Sequence, residues 1–462
     1  MTERMRALAA LGAVVLLALG GIAFDATTTD VAAPQPGAPE PGFVQRAAFC
    51  PPPVRGTEGV TRLAAATSGG GAVAVSVEPD GAPEELGAER LLSLVPRDSA
   101  TSVTGIGARL VASVASSIAE PLRGAAASRC SGVAATTWYF PEGSSALGAD
   151  GRLLLYNPFQ DEAVARVLFY TPLGVEAKAN LADVAVPAGA SVEVAVNEFV
   201  LRRPLLSAAV IVTRGRVVAW AELFRAGERQ RGAEMTLGAA SASDIWYFPA
   251  GAVGEGYAER ITLLNPSAEE ASVTITLATE TRVLQPPRLV ELTLPPESSR
   301  AVALDELVQP PRQPQSVSAW VTSTTGVPIV AERTLRLVGA GRRGLSSEIG
   351  VTGAARRWLL GPAVLQPATD AVHVMNPGTQ DASVTLTLIR PDAPSLAPRA
   401  LADIEVPAGL RVTVRLDRWT RGETVGAVLV SDREVMAERT ARSAPGADIA
   451  ALMGTAVRPS AP

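Results

Sequence analysis

The chain has 462 residues, 47% of them hydrophobic, with 41 basic and 46 acidic residues and a net charge of −5. That length allows three or four domains with cores of their own. Lys178 is the only lysine and no basic tract exists, so nucleic acid is not an expected partner.

At the N-terminus, Arg4 and Arg6 precede an apolar run from Ala7 to Phe24. The run can just span a hydrocarbon core at about 1.5 Å per residue. Ala23-Phe24-Asp25 is a poor cleavage site and Val31-Ala32-Ala33 is remote. Residues 1–25 are therefore predicted to be an uncleaved signal anchor, favoured over a cleaved signal peptide. Either way the rest of the chain is expected outside the cytoplasm. Residues 26–43, with Pro34, Pro36, Pro39 and Pro41, are predicted to be an extended linker.

Residues 44–133 are expected to form a divergent β domain. Val73, Val75 and Val77 alternate with Ala74 and Ser76, and Pro96 precedes Val103 by the step that separates Pro187 from Val194. Residues 84–92 would also suit a short helix. Gly69–Gly71 reads as a flexible turn, because a phosphate loop would need Lys-Ser/Thr and a helix after it. Cys50 and Cys130 are the only cysteines and bracket this segment. Outside the cytoplasm an isolated pair is expected to form one disulfide. A metal site would need more ligands, and no CxxC is present.

Three copies of one pattern follow, predicted over residues 134–240, 241–352 and 353–455, with a tail at 456–462. Trp138-Tyr139-Phe140-Pro141 returns as Trp246-Tyr247-Phe248-Pro249 and, worn, as Trp358-Leu359-Leu360-Gly361-Pro362. The Trp offsets of 108 and 112 residues match one β-sandwich. Asn157-Pro158, Asn265-Pro266 and Asn376-Pro377 mark turns. Alternating runs come next, such as Val273, Ile275, Leu277 against Ser272, Thr274, Thr276. A second strand follows Pro187, Pro295 and Pro407, each ten residues ahead of Asn197, Asp305 or Asp417. Ala221-Glu222, Ala331-Glu332 and Ala437-Glu438 close the copies. A hairpin is expected before each, turning at Arg214-Gly215, Thr325-Gly326 and Ser431-Asp432. The fold class expected is all-β: tandem immunoglobulin-like β-sandwich repeats behind an N-terminal transmembrane helix. Trp138, Trp246 and Trp358 are read as packing residues, and Asn157, Asn265 and Asn376 as structural turns.

Reactive constellations are scarce. His373 is the only histidine, and the other copies hold Leu154 and Thr262 at its place, so it is read as a packing position. No G-x-S-x-G elbow occurs, and zinc of the usual His/Cys kind is short of ligands. Glu269/Glu270 and Asp305/Glu306 are read as solvated turn acids. Glu222, Glu332 and Glu438 are expected to pair with Arg225, Arg333 or Arg439, or to face water. No catalytic residue, metal site or cofactor is assigned.

The W-Y-F-P-x-G opening, the N-P turn, the V-P-A-G turn and the closing V-A-E strand resemble an uncharacterised actinobacterial family of membrane-anchored extracytoplasmic proteins. Those are built on a domain of unknown function. The resemblance covers roughly residues 44–450 and implies no activity. Copy three departs from it by losing Tyr-Phe-Pro. The leading expectation is a non-catalytic envelope protein acting as scaffold, spacer or adhesion rod. Its partners would be the membrane, through the N-terminal helix, and envelope proteins or cell-wall glycan. The alternative is a cell-wall glycan-binding module using Trp220 and Trp320. Neither is matched by Trp elsewhere: Trp220 is aligned with Val330 and Trp320 with Val210.

Overall fold

The alternating runs are strands, and their apolar faces are buried: Val273, Ile275 and Leu277 are inaccessible, as are Val384 and Leu386. The computed structural model describes residues 45–457 except 55–59, 69–72, 79–83, 87–89, 97–98, 107–108, 119–123, 227–230, 305–314, 339–343, 392, 421 and 444–447. The expected anchor, the linker, the Gly69–Gly71 turn and Asp305/Glu306 lie outside the described residues. Where a short helix was the alternative, the chain instead forms strands Glu84–Leu86 and Leu91–Leu94.

The protein is all-β, and its sheets fall into pairs with one recurring strand order. In pair 1, Thr137–Phe140, Ser207–Arg214, Ala163–Thr171 and Gly174–Ala177 make one sheet, in that order. Ser191–Ala195, Ala149–Tyr156, Val218–Ala226 and Arg231–Leu237 make the other. Pair 2 repeats this from Ile245–Phe248 to Gly344–Ile349, and pair 3 from Ala355–Leu360 to Ala450–Met453. An N-terminal pair, from Gln45–Cys50 to Gly124–Arg129, has the corresponding order. All pairings are antiparallel.

The hairpins expected before the closing Glu motifs are not hairpins. Ser207–Arg214 and Val218–Ala226 belong to different sheets, so Gly215, at φ 79°, turns an arch between layers. In pair 3 no turn interrupts Ser431-Asp432. Gly426–Ser443 is a single strand, its first half paired in one sheet and its second half in the other.

The repeated motifs hold each pair together. Trp138, Trp246 and Trp358 are almost inaccessible. Their indole N–H groups donate to the carbonyls of Val217, Ile329 and Val435, each at 2.8 Å. Each acceptor stands immediately before the residues that pair in the second layer, so the bond holds the first strand at the crossing between layers. Asn157, Asn265 and Asn376 are also buried. Each donates through Nδ2 to a carbonyl four residues on (Asp161, Glu269, Gln380) and to one across the fold (Val186, Leu294, Val406). Each accepts through Oδ1 from the N–H two residues on. The Asn amide, more than the following Pro, therefore sets the turn.

Cys50 and Cys130 are bonded, as expected, with Cα atoms 4.3 Å apart. Their place in the pattern is informative. Phe49 bridges Ser131 as Tyr139 bridges Ala239 and Tyr247 bridges Val351. Cys50 thus stands where Phe140, Phe248 and Leu360 stand, and Cys130 where Gly238, Gly350 and Gly454 stand. A Cβ on Gly238 would meet the Phe140 ring at 2.7 Å, and one on Gly350 the Phe248 ring at 2.9 Å. The N-terminal pair replaces a ring seated on glycine by a covalent bond across the same gap.

The four closing strands meet. Gly124–Arg129 packs on Arg231–Leu237, which packs on Gly344–Ile349, then Ala450–Met453, which returns to Gly124–Arg129. The strands are rich in Gly, Ala and Ser, which lets backbones approach closely. Residues 44–458 are one compact unit, closed as a ring rather than strung out as the rod expected from tandem repeats. Val428, Leu359 and Ile389 of pair 3 cluster with Ala64, Ala66 and Leu91 of the N-terminal pair and complete the circuit.

Candidate functional site

Charged side chains collect between neighbouring pairs, and one strand position controls the junctions. Backbone pairing matches Ser113, Trp220, Glu332 and Glu438, because each lies opposite Ala64, Leu154, Thr262 or His373. The expected set of Glu222, Glu332 and Glu438 is two residues out of register in copy one.

The two glutamates at that position perform one task. Glu332 Oε2 accepts the backbone N–H of Glu142 at 2.8 Å, and Glu438 Oε2 accepts that of Ala250 at 2.9 Å. Both N–H groups follow a Phe-Pro in the preceding pair and are buried, so without the carboxylate they would lack a partner. At the other two junctions the matching loop residues are Pro52 and Pro362, which carry no N–H. There the strand position holds Trp220 and Ser113 instead of Glu. Donor and acceptor thus appear and disappear together around the ring.

The junction between pairs 1 and 2 is filled with charge. Glu142 Oε1 accepts from Arg225 at 3.2 Å and pairs with Arg260, and Oε2 accepts from Thr262 at 2.9 Å. Nearby, Ser347 donates to Glu234 at 2.7 Å. Burial, with Glu142 beside it, pushes the Glu234 carboxyl up to about 7. Burial also raises Glu332 well above the usual carboxylate range.

At the junction between pairs 2 and 3 the same places hold small or apolar residues. Arg260 lies opposite Thr334 and Ala303, and Ala371 opposite Thr440 and Arg415, so Ala371 replaces Arg260. Likewise Ala250 replaces Glu142, and Leu337 replaces Arg225. Glu438 takes its cation from Arg333, 2.7 Å away, rather than from Arg439. Arg439 instead clasps Asp370 through Nε at 2.8 Å and Nη2 at 2.5 Å. Burial lifts the Glu259 carboxyl to about 8, against the opposing pull of Arg333.

Beside Ala371 lies a cavity of about 280 Å³ that also has His373, Thr413, Thr440, Arg442 and Tyr257 in its walls. His373 lies under it. Its Nδ1 is 2.6 Å from Arg411 Nη2 and its Nε2 2.7 Å from Thr440 Oγ1. A guanidinium can only donate, so Nδ1 accepts and Nε2 carries the hydrogen. Burial, reinforced by Arg411, holds the imidazole well below its ordinary pKa. His373 is therefore neutral and fixed in one tautomer.

The two tryptophans named for glycan contact are not open platforms. Trp220 is inaccessible, and its indole N–H donates to the Arg129 carbonyl at 3.3 Å. Trp320 is half-buried against the core of pair 3. Both alignments also shift. Trp220 matches Glu332, not Val330, and Trp320, opposite Tyr247, matches Ala209, not Val210. The cavity itself carries no sequence motif. A signal existed only in the exchange of Arg260 for Ala371.

Among the described residues no group of three or more His, Cys, Asp or Glu is placed to hold a metal. No curated protein matches the chain. Among solved structures, the crystal structure of Thermotoga maritima 1070 is similar at 14% identity. The match covers 23% of this chain and 98% of that one, with a TM-score of 0.21. A family model matches residues 96–244 and 225–449, more than half of the chain, which therefore belongs to DUF5719, a family of unknown function.

Proposed function

We propose that the protein is a non-catalytic, membrane-anchored scaffold of the cell envelope. In this reading residues 1–25 anchor it, 26–43 space it from the membrane, and the rest is a set of tandem immunoglobulin-like sandwiches displayed outside the cytoplasm. The units are 44–133, 134–240, 241–352 and 353–455. One observation carries the scaffold reading: the side chains best able to do chemistry are used to join the pairs or are locked within one. Glu332 and Glu438 hold backbone N–H groups of the neighbouring pair, and His373 is locked between Arg411 and Thr440. A buried carboxylate bound to a structural N–H is a poor nucleophile or proton shuttle. The ring supports a platform more than a rod, because the closing strands meet at its centre.

The test combines topology and turnover. A C-terminal epitope on the full chain should stay with the membrane fraction and be cut by protease added to intact spheroplasts. The purified full chain should turn over no envelope glycan, peptide or ester substrate. An epitope protected from external protease would refute the location. Turnover abolished by Glu332→Gln or Glu438→Gln, with the fold retained, would refute the scaffold.

A further inference from the structure

We propose that the cavity between pairs 2 and 3 is a binding site for a small sugar acid, held through its carboxylate. The comparison of junctions says why space exists. Between pairs 1 and 2, Glu142, Arg225 and Arg260 fill the gap with their own ion pairs. Between pairs 2 and 3, Ala371 stands in the place of Arg260 and lines a cavity of about 280 Å³. That is just below the usual range for small-molecule sites and suits a single ring.

The walls decide the chemistry. Because Thr440 Oγ1 accepts from His373 Nε2, its own hydrogen is left to donate. Thr413 Oγ1 is buried with no hydrogen-bond partner. Arg442 donates to the Tyr257 hydroxyl and lies over that ring, 5.4 Å from its centre. It makes no carboxylate ion pair among the described residues. The nearby carboxylates are already engaged: Asp370 by Arg439, Asp417 by Arg415 and the Asp370 N–H, and Asp448, whose charge reaches Arg442, by the Ser443 N–H and hydroxyl. Thr440, Thr413 and Arg442 thus offer donors at the cavity, which favours an acceptor-rich ligand, and a guanidinium suits a planar carboxylate. Ser316, Thr369 and the Tyr257 ring complete walls able to meet ring hydroxyls and a ring face.

The experiment is calorimetric titration of the full chain with D-glucuronate, with glucose and inorganic phosphate as controls. Glucuronate should bind at least 10-fold more tightly than either. Arg442→Gln and Thr413→Val should each weaken it at least 10-fold without changing the circular dichroism. Ala371→Arg, which restores the side chain of the neighbouring junction, should abolish binding by filling the space. If glucuronate does not bind, or glucose or phosphate binds as well, the ligand class is wrong. Binding unaffected by Arg442→Gln and Ala371→Arg would place the ligand elsewhere and overturn the site.

Discussion

Glu438 illustrates how single residues join the ring. Its carboxylate holds the Ala250 N–H and lies against Arg333, and all three residues are buried. Glu438→Ala would strand a donor and a cation, a loss of about 3–5 kcal/mol by analogy with broken buried pairs. Urea unfolding of the variant measures it, and a loss under about 1 kcal/mol would refute the role. The buried carboxyls also set a pH dependence. Burial raises Glu234 to about 7 and Glu259 and Glu348 to about 8. The folded state therefore holds more protons than the unfolded state from about pH 4.5 upwards. The contribution of these carboxyls is fully present below that value and is lost as pH rises towards 8, by at most about 1.4 kcal/mol per unit for each group. The depressed His373 acts in the opposite sense below about pH 6.5 and is outnumbered. Melting temperatures taken from pH 5 to pH 8 should decline, and Glu259→Gln should flatten the slope. A melting temperature that rises across this window would contradict the assignment.

Strands exchange one device for another at equivalent places. The Cys50–Cys130 bond sits where the other pairs seat Phe or Leu on Gly. Reducing it should cost about 2–4 kcal/mol. Joint Cys50→Phe and Cys130→Gly substitution should recover part of that loss, as read by denaturation under reducing conditions. No recovery would show that the N-terminal pair cannot use its siblings' packing. Much of this level was legible in the sequence. Period-two runs located the strands, spacing matched the copies, and an isolated Cys pair implied its bond. Other parts were not. Ala-Glu matched by residue type misplaced Glu222 by two positions, because register is set by backbone pairing and Trp220 breaks the resemblance. The arches at Gly215 and Gly326 resemble hairpin turns locally, and only the layers they join distinguish them. The cavity was invisible because its signal is a side chain that is missing, Ala371 in the place of Arg260.

At the scale of the whole molecule, closure depends on small side chains that leave no periodic trace. Ala125 and Ala127 of the N-terminal pair meet Ala363, Val364 and Leu452 of pair 3. The contact joins the first sheet pair in the chain to the fourth. Removing residues 44–133 would expose that face together with the one around Trp220, both apolar. The truncated protein should self-associate, and light scattering after size exclusion would detect it. A monodisperse monomer would mean that the pairs are independent beads after all.

The meeting of first and last strands also imposes a timetable on biosynthesis. Ala450–Met453 leaves the ribosome after the other three closing strands, yet Gly124–Arg129 and Gly344–Ile349 both pack on it. A nascent chain holding the first three pairs is an open crescent with a sticky face at each end. Such a crescent must be kept from neighbouring crescents until Ala450–Met453 arrives. Release of the final strand, and not the folding of any one sandwich, is then the event that yields a finished molecule.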